Sequence, residues 1–133
     1  MSRAERAKEY FMKGYACSQA VVLAFSDLIE VSESELKKIS LPFGGGLGRL
    51  RLTCGAVSGM AIVIGALFAK EENSPENKKN TYEIVRDLCG KFQEENGSLI
   101  CSELLSAQKR PCAEIVYSTA KILEEYLIKN GKI

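Results

Sequence analysis

The chain contains no histidine. That absence removes His-assisted hydrolytic triads, imidazole metal sites and the Cys-x-x-Cys-His attachment of a c-type haem. No excess of one charge exists either: 18 Lys and Arg face 17 Asp and Glu, a formal net charge of +1. Nothing in that balance calls for nucleic acid or an anionic membrane as partner. The N-terminus, Met1 to Tyr10, alternates charges and has no apolar run behind it of the kind a signal peptide needs, so the expectation is a cytoplasmic protein. One stretch, Leu52 to Ala69, runs 18 residues without a charge. Gly55, Gly59 and Gly65 dilute it and Arg49 and Arg51 precede it, which reads as a buried central helix rather than a membrane span.

What the chain has in quantity is sulfur. Five cysteines stand at 17, 54, 89, 101 and 112. In a reducing cytosol such cysteines serve catalysis, redox sensing or metal binding more often than structural disulfides. No Cys-x-x-Cys occurs, so a thioredoxin-like motif, a zinc ribbon and a ferredoxin-type loop all lack their close pairs. The length, 133 residues, fits one domain spanning 1–133, and a domain of this size buries roughly 68% of its unfolded surface without needing staples.

Hydrophobic spacing predicts helices throughout and no strand. Ala4, Ala7 and Phe11 place a helix over Ser2 to Lys13, ended by Gly14. Cys17, Ala20, Val21, Ala24, Phe25 and Leu28 fall on one face of a helix of about three turns. Ser32-x-x-Glu35 opens a short helix closed by Pro42. The apolar helix then runs from about Thr53 to Lys70. Ser74 and Pro75 start the next helix, which Asn96-Gly97 terminates. A short helix from Ser98 to about Ser106 and a last one from Pro111 complete the chain. The expected fold is an all-α bundle of about six or seven helices around the Gly/Ala-rich apolar one.

On these helices Cys17, Cys54, Cys101 and Cys112 each occupy a first turn, whereas Cys89 lies mid-helix between Leu88 and Phe92. A helix start offers unpaired N–H groups and a positive partial charge, which favour a thiolate over a thiol. Arg49 and Arg51 precede Cys54, and Lys109 and Arg110 precede Cys112, adding cations in sequence. Each of the four heads the apolar stripe of its helix, so all four can turn toward a shared interior. The plain alternative is that cysteines on apolar stripes are simply core residues. Gly44, Gly45, Gly46 and Gly48, with Arg49 and Arg51, could form an anion or substrate approach to Cys54 through backbone N–H groups. The Gly-Lys-Ser/Thr of a P-loop is missing, and no strand precedes the loop.

Three blocks now stand out: Cys17-Ser18-Gln19-Ala20-Val21, Phe43-Gly44-Gly45-Gly46-Leu47-Gly48-Arg49 and Cys54-Gly55-Ala56-Val57-Ser58-Gly59, followed by Gly97-Ser98 with Cys101 and by Cys112. Together they resemble the C_GCAxxG_C_C family over nearly the whole chain. The resemblance implies a small bacterial or archaeal protein with a redox role, and its four pattern cysteines match Cys17, Cys54, Cys101 and Cys112. Cys89 is additional to the pattern. A related domain occurs in a split-Soret cytochrome, but the haem-binding motif is missing here, so haem is not carried over.

The sequence reading is therefore thiol–disulfide or related thiolate chemistry, with Cys54 as nucleophile and Cys17, Cys101 or Cys112 as the resolving sulfur. The redox partner, protein or small molecule, is not specified. Two alternatives stand beside it: a module holding a metal ion or iron–sulfur cluster on the same four cysteines, and an interaction domain with inert buried cysteines.

Overall fold

The structure is a computed structural model that describes residues 1–108 and 111–133. Lys109 and Arg110, read above as cations beside Cys112, lie outside the described residues. Seven α-helices occur among the described residues: α1 (Arg3–Met12), α2 (Cys17–Leu23), α3 (Glu33–Ser40), α4 (Gly55–Phe68), α5 (Pro75–Asn96), α6 (Cys101–Glu103) and α7 (Cys112–Lys129). No strand is present among them. The expected all-α bundle is what forms. No described helix is long and apolar enough to cross a membrane.

Local chemistry sets the boundaries. Ser2 Oγ accepts from the Glu5 N–H at 3.0 Å while the Ser2 N–H donates to the Glu5 carboxylate at 3.1 Å, a reciprocal cap that starts α1. Ser32 and Ser74 cap α3 and α5 through their hydroxyls in the same position. Gly97, at φ +98°, takes the left-handed turn that ends α5. One expected helix is shorter than its stripe suggests. α2 stops at Leu23, and a 3₁₀ turn over Ser26–Leu28 carries the chain on. At that end the Arg3 guanidinium donates to the Ala24 carbonyl at 2.8 Å and pairs with Asp27 at 2.6 Å. It thus takes up a carbonyl that a longer helix would have used.

Two packings organise the bundle, α1 along α7 and α2 across α4. In α2, Ser18 through Leu23 are all buried, so its polar groups must find partners inside. They do: the Ser18 hydroxyl donates to the Ser40 carbonyl at 2.7 Å and the Gln19 amide donates to the Lys37 carbonyl at 2.9 Å. Both bonds tie the start of α2 to the end of α3. The crossing with α4 is close enough that a Cβ on Gly59 would stand 2.7 Å from the Ser18 carbonyl oxygen. Phe25, Leu88 and Phe92 are fully buried in the core, each contributing about 1.5–3 kcal/mol by leaving water. Cys89 sits half-buried against the same core, on α5.

Candidate functional site

Each pattern cysteine is delivered by a helix start. Cys17, Cys101 and Cys112 are the first residues of α2, α6 and α7, and Cys54 is the residue immediately before α4. The segment before α4 also pairs with the segment before α6. Thr53 and Ile100 form an antiparallel bridge, with the Cys54 N–H donating to the Leu99 carbonyl at 2.8 Å and the Cys101 N–H to the Leu52 carbonyl at 2.6 Å. This short ladder clamps Cys54 and Cys101 side by side, a long-range contact that no local pattern announces.

The four sulfurs converge. Cys17, Cys54, Cys101 and Cys112 all line one cavity of about 40 Å³, closed by Leu104 and Ile115. A water needs roughly 10–15 Å³ of such space, so the cavity admits a few waters or one sulfur group and nothing larger. Cys54 and Cys101 form its inner wall, only 6% and 8% exposed, while Cys17 and Cys112 are half-buried. These two also line a second, open cleft of about 640 Å³. They are the sulfurs that stand between the interior and that cleft.

Gly55 shows how tightly the site is built. A Cβ at this position would lie 2.5 Å from the Cys17 Sγ and 2.8 Å from the Phe43 carbonyl oxygen, so the sulfur of Cys17 rests directly on the first residue of α4. Only glycine leaves it that place.

Burial governs the thiols. The Cys54 thiol is pushed up to about 12, chiefly because burial penalises the thiolate. Backbone N–H groups of Ala56 and Val57 at the start of α4 oppose the shift, and the neighbouring Cys17 and Cys101 sulfurs reinforce it. The helix-start effect expected from sequence is therefore present at Cys54 and is outweighed by desolvation. Cys112 is raised by burial and by Cys17 and Cys101, with Arg51 pulling the other way. The Arg51 guanidinium lies 3.7 Å from the Cys101 Sγ. The cation that sequence proximity assigned to Cys54 thus serves Cys101 and Cys112.

The glycine-rich loop that carries Arg51 has an unusual backbone. Gly45, Gly46, Leu47, Gly48 and Arg49 are consecutively left-handed, and Arg51 follows at φ +62°. The turn is held by backbone bonds that reach back five and six residues, among them Gly48 N–H to the Pro42 carbonyl at 2.9 Å and Leu52 N–H to the Gly46 carbonyl at 3.0 Å. Leu47, Arg49 and Arg51 each carry a side chain in a region that costs an L-residue roughly 1–2 kcal/mol. Gly44, Gly45, Arg49 and Arg51 line the open cleft, and Gly46 is buried behind it.

A family model described as "Putative redox-active protein (C_GCAxxG_C_C)" matches residues 15–126. The chain belongs to this family. The match runs from just before Cys17 to within α7 and so takes in all four converging cysteines. Neither the curated proteins nor the solved structures hold a match to the chain.

For the C_GCAxxG_C_C chain the metal alternative has its own geometric test. Among the described residues, no group of three or more Cys, Asp or Glu side chains is arranged to hold a metal ion.

Proposed function

We propose that this member of the family is a thiol–disulfide redox protein whose attacking sulfur is Cys17. The observation that carries the reading is the shared cavity: four thiols enclosed together, with Cys17 at the mouth facing an open cleft. Enclosure keeps the inner thiols away from solvent oxidants, and proximity turns a second sulfur attack into an intramolecular step. Cys112 shares the mouth, but burial and the adjacent sulfurs push its thiol up. Cys54, the sequence-based choice of nucleophile, is held protonated by burial, which speaks against its opening the reaction.

The reaction balances as follows. The Cys17 thiolate attacks one sulfur of a disulfide RS–SR; that S–S bond breaks and RS⁻ leaves, taking up a proton. A second thiol, from Cys54, Cys101 or Cys112, then gives up its proton and attacks as a thiolate the Cys17 sulfur of the mixed disulfide. Its proton goes to the second RS⁻, so the chain gives up two electrons and two protons and the substrate leaves as two thiols. A cytoplasmic setting suits this chemistry, because a reducing pool keeps thiols such as these free.

Oxidising the reduced Cys89→Ser chain with neutral 2-hydroxyethyl disulfide tests the reading. It predicts loss of two thiols per chain into one intramolecular disulfide, and loss of that reaction in Cys17→Ser. Intact thiols in the parent, or an unchanged rate in Cys17→Ser, would refute it.

A further inference from the structure

The sulfur cavity, at about 40 Å³, cannot take a substrate in, so the reacting bond must be offered from the cleft outside. That cleft differs in size and chemistry. Its volume of about 640 Å³ falls within the roughly 300–1,000 Å³ of small-molecule pockets. Phe11, Tyr15, Arg49 and Arg51 line it, and Cys17 and Cys112 are shared between it and the cavity. Among the described residues lining it there is no Asp or Glu.

The two arginines stand at φ +64° and +62°, where glycine would sit without strain. Glycine already occupies the left-handed positions 45, 46 and 48 of this loop. Arginine at 49 and 51 therefore supplies something a backbone cannot, a guanidinium presented to the cleft. None of the ion pairs among the described residues uses either arginine. Arg51 reaches the Cys101 sulfur, so the same side chain touches the thiol cluster and the cleft.

The geometry points to a low-molecular-weight disulfide bearing carboxylates as the substrate, its anionic groups held by Arg49 and Arg51 while its S–S bond meets Cys17. This rests on the redox reading above and names the substrate class for the same site. The electron count is unchanged: one substrate disulfide becomes two carboxylate-bearing thiols, and two chain thiols become one disulfide.

The test uses the reduced Cys89→Ser chain at low ionic strength with three disulfides of similar length: dianionic 3,3′-dithiodipropionate, neutral 2-hydroxyethyl disulfide and dicationic cystamine. Each rate of thiol loss is divided by that of a free small thiol with the same reagent, which removes the reagents' own reactivities. The expected order is dianion, neutral, dication, with a dianion-to-dication ratio of about tenfold or more that shrinks in high salt. In Arg49→Gln/Arg51→Gln the ratio falls toward unity, and in Arg49→Lys/Arg51→Lys most of it is retained. Because the ratio is read within each variant, a general change in thiol reactivity cancels. A flat order in the parent chain, or an order that survives the double Gln change, overturns the substrate assignment while oxidation by the neutral reagent leaves the redox reading intact. No oxidation by any of the three overturns both.

Discussion

Replacing Gly55 by Ala separates a built site from a coincidental cluster of core cysteines. An added Cβ would meet the Cys17 Sγ at 2.5 Å and the Phe43 carbonyl oxygen at 2.8 Å, against ordinary contacts of 3.4–4 Å. Relief requires a displacement on the order of 1 Å, and one of the two obstacles is backbone. Overpacking of this kind costs about 1–3 kcal/mol. Alanine in a helix returns up to about 1 kcal/mol, which leaves a net loss of about 0–2 kcal/mol. Gly65 is the matched control within α4, since its Cβ would meet nothing within 4 Å. Gly65→Ala should gain up to about 1 kcal/mol, and since that gain is common to both, the two variants should differ by the overpacking cost of about 1–3 kcal/mol in urea unfolding. The same Gly55→Ala chain should alkylate Cys17 at a changed rate, because its sulfur must leave the α4 contact. Equal stability of the two variants with unchanged Cys17 labelling would refute the claimed fit.

Further consequences can be measured separately. Because burial raises the Cys54 thiol to about 12, the folded state holds that proton above the unfolded value of about 8.5. Its contribution to stability is therefore fully present below about pH 8.5 and is lost as pH rises toward 12, at about 1 kcal/mol per pH unit, and Cys54→Ala should flatten that slope in alkaline urea titrations. Leu47 is 44% exposed at φ +69°, so Leu47→Gly should hold or raise the thermal midpoint, whereas β-branched Leu47→Val should lose more than about 1 kcal/mol. Arg3 holds the Asp27 carboxyl below its usual range, so this pair stabilises above about pH 4 and fades as pH falls below it. Asp27 is largely exposed, so Asp27→Asn should cost only about 0.5–1 kcal/mol at pH 7, and the difference from the parent should vanish in acid.

Much of the fold could be read from the chain because its punctuation is local. Ser32 with Glu35, Ser74 with Pro75 and the Gly97 stop all act within one helical turn, and all sit where spacing placed them. The same locality put the four pattern cysteines at helix starts. What sequence missed acts over distance. Arg3 bonds the C-terminal carbonyl of α2 from more than twenty residues away, and the bridge between Thr53 and Ile100 joins Cys54 to Cys101 across nearly fifty. Burial is equally non-local, which is why Cys54, apparently the best activated cysteine, is the one pushed up to about 12. Arg51 illustrates the same point, since it stands three residues before Cys54 yet reaches Cys101. The glycines of the loop announced a tight passage, but nothing in composition shows that Leu47, Arg49 and Arg51 join them in the left-handed region.

The central claim is that Cys17 opens a dithiol reaction completed inside the cluster. Rapid-quench mass mapping of the reduced Cys89→Ser chain during oxidation by a small disulfide tests it most directly. The account predicts a first adduct on Cys17, replaced by an intramolecular disulfide from Cys17 to Cys54, Cys101 or Cys112. A first adduct on Cys54 or Cys101, or a Cys17 adduct that persists with the other three thiols free, would contradict it.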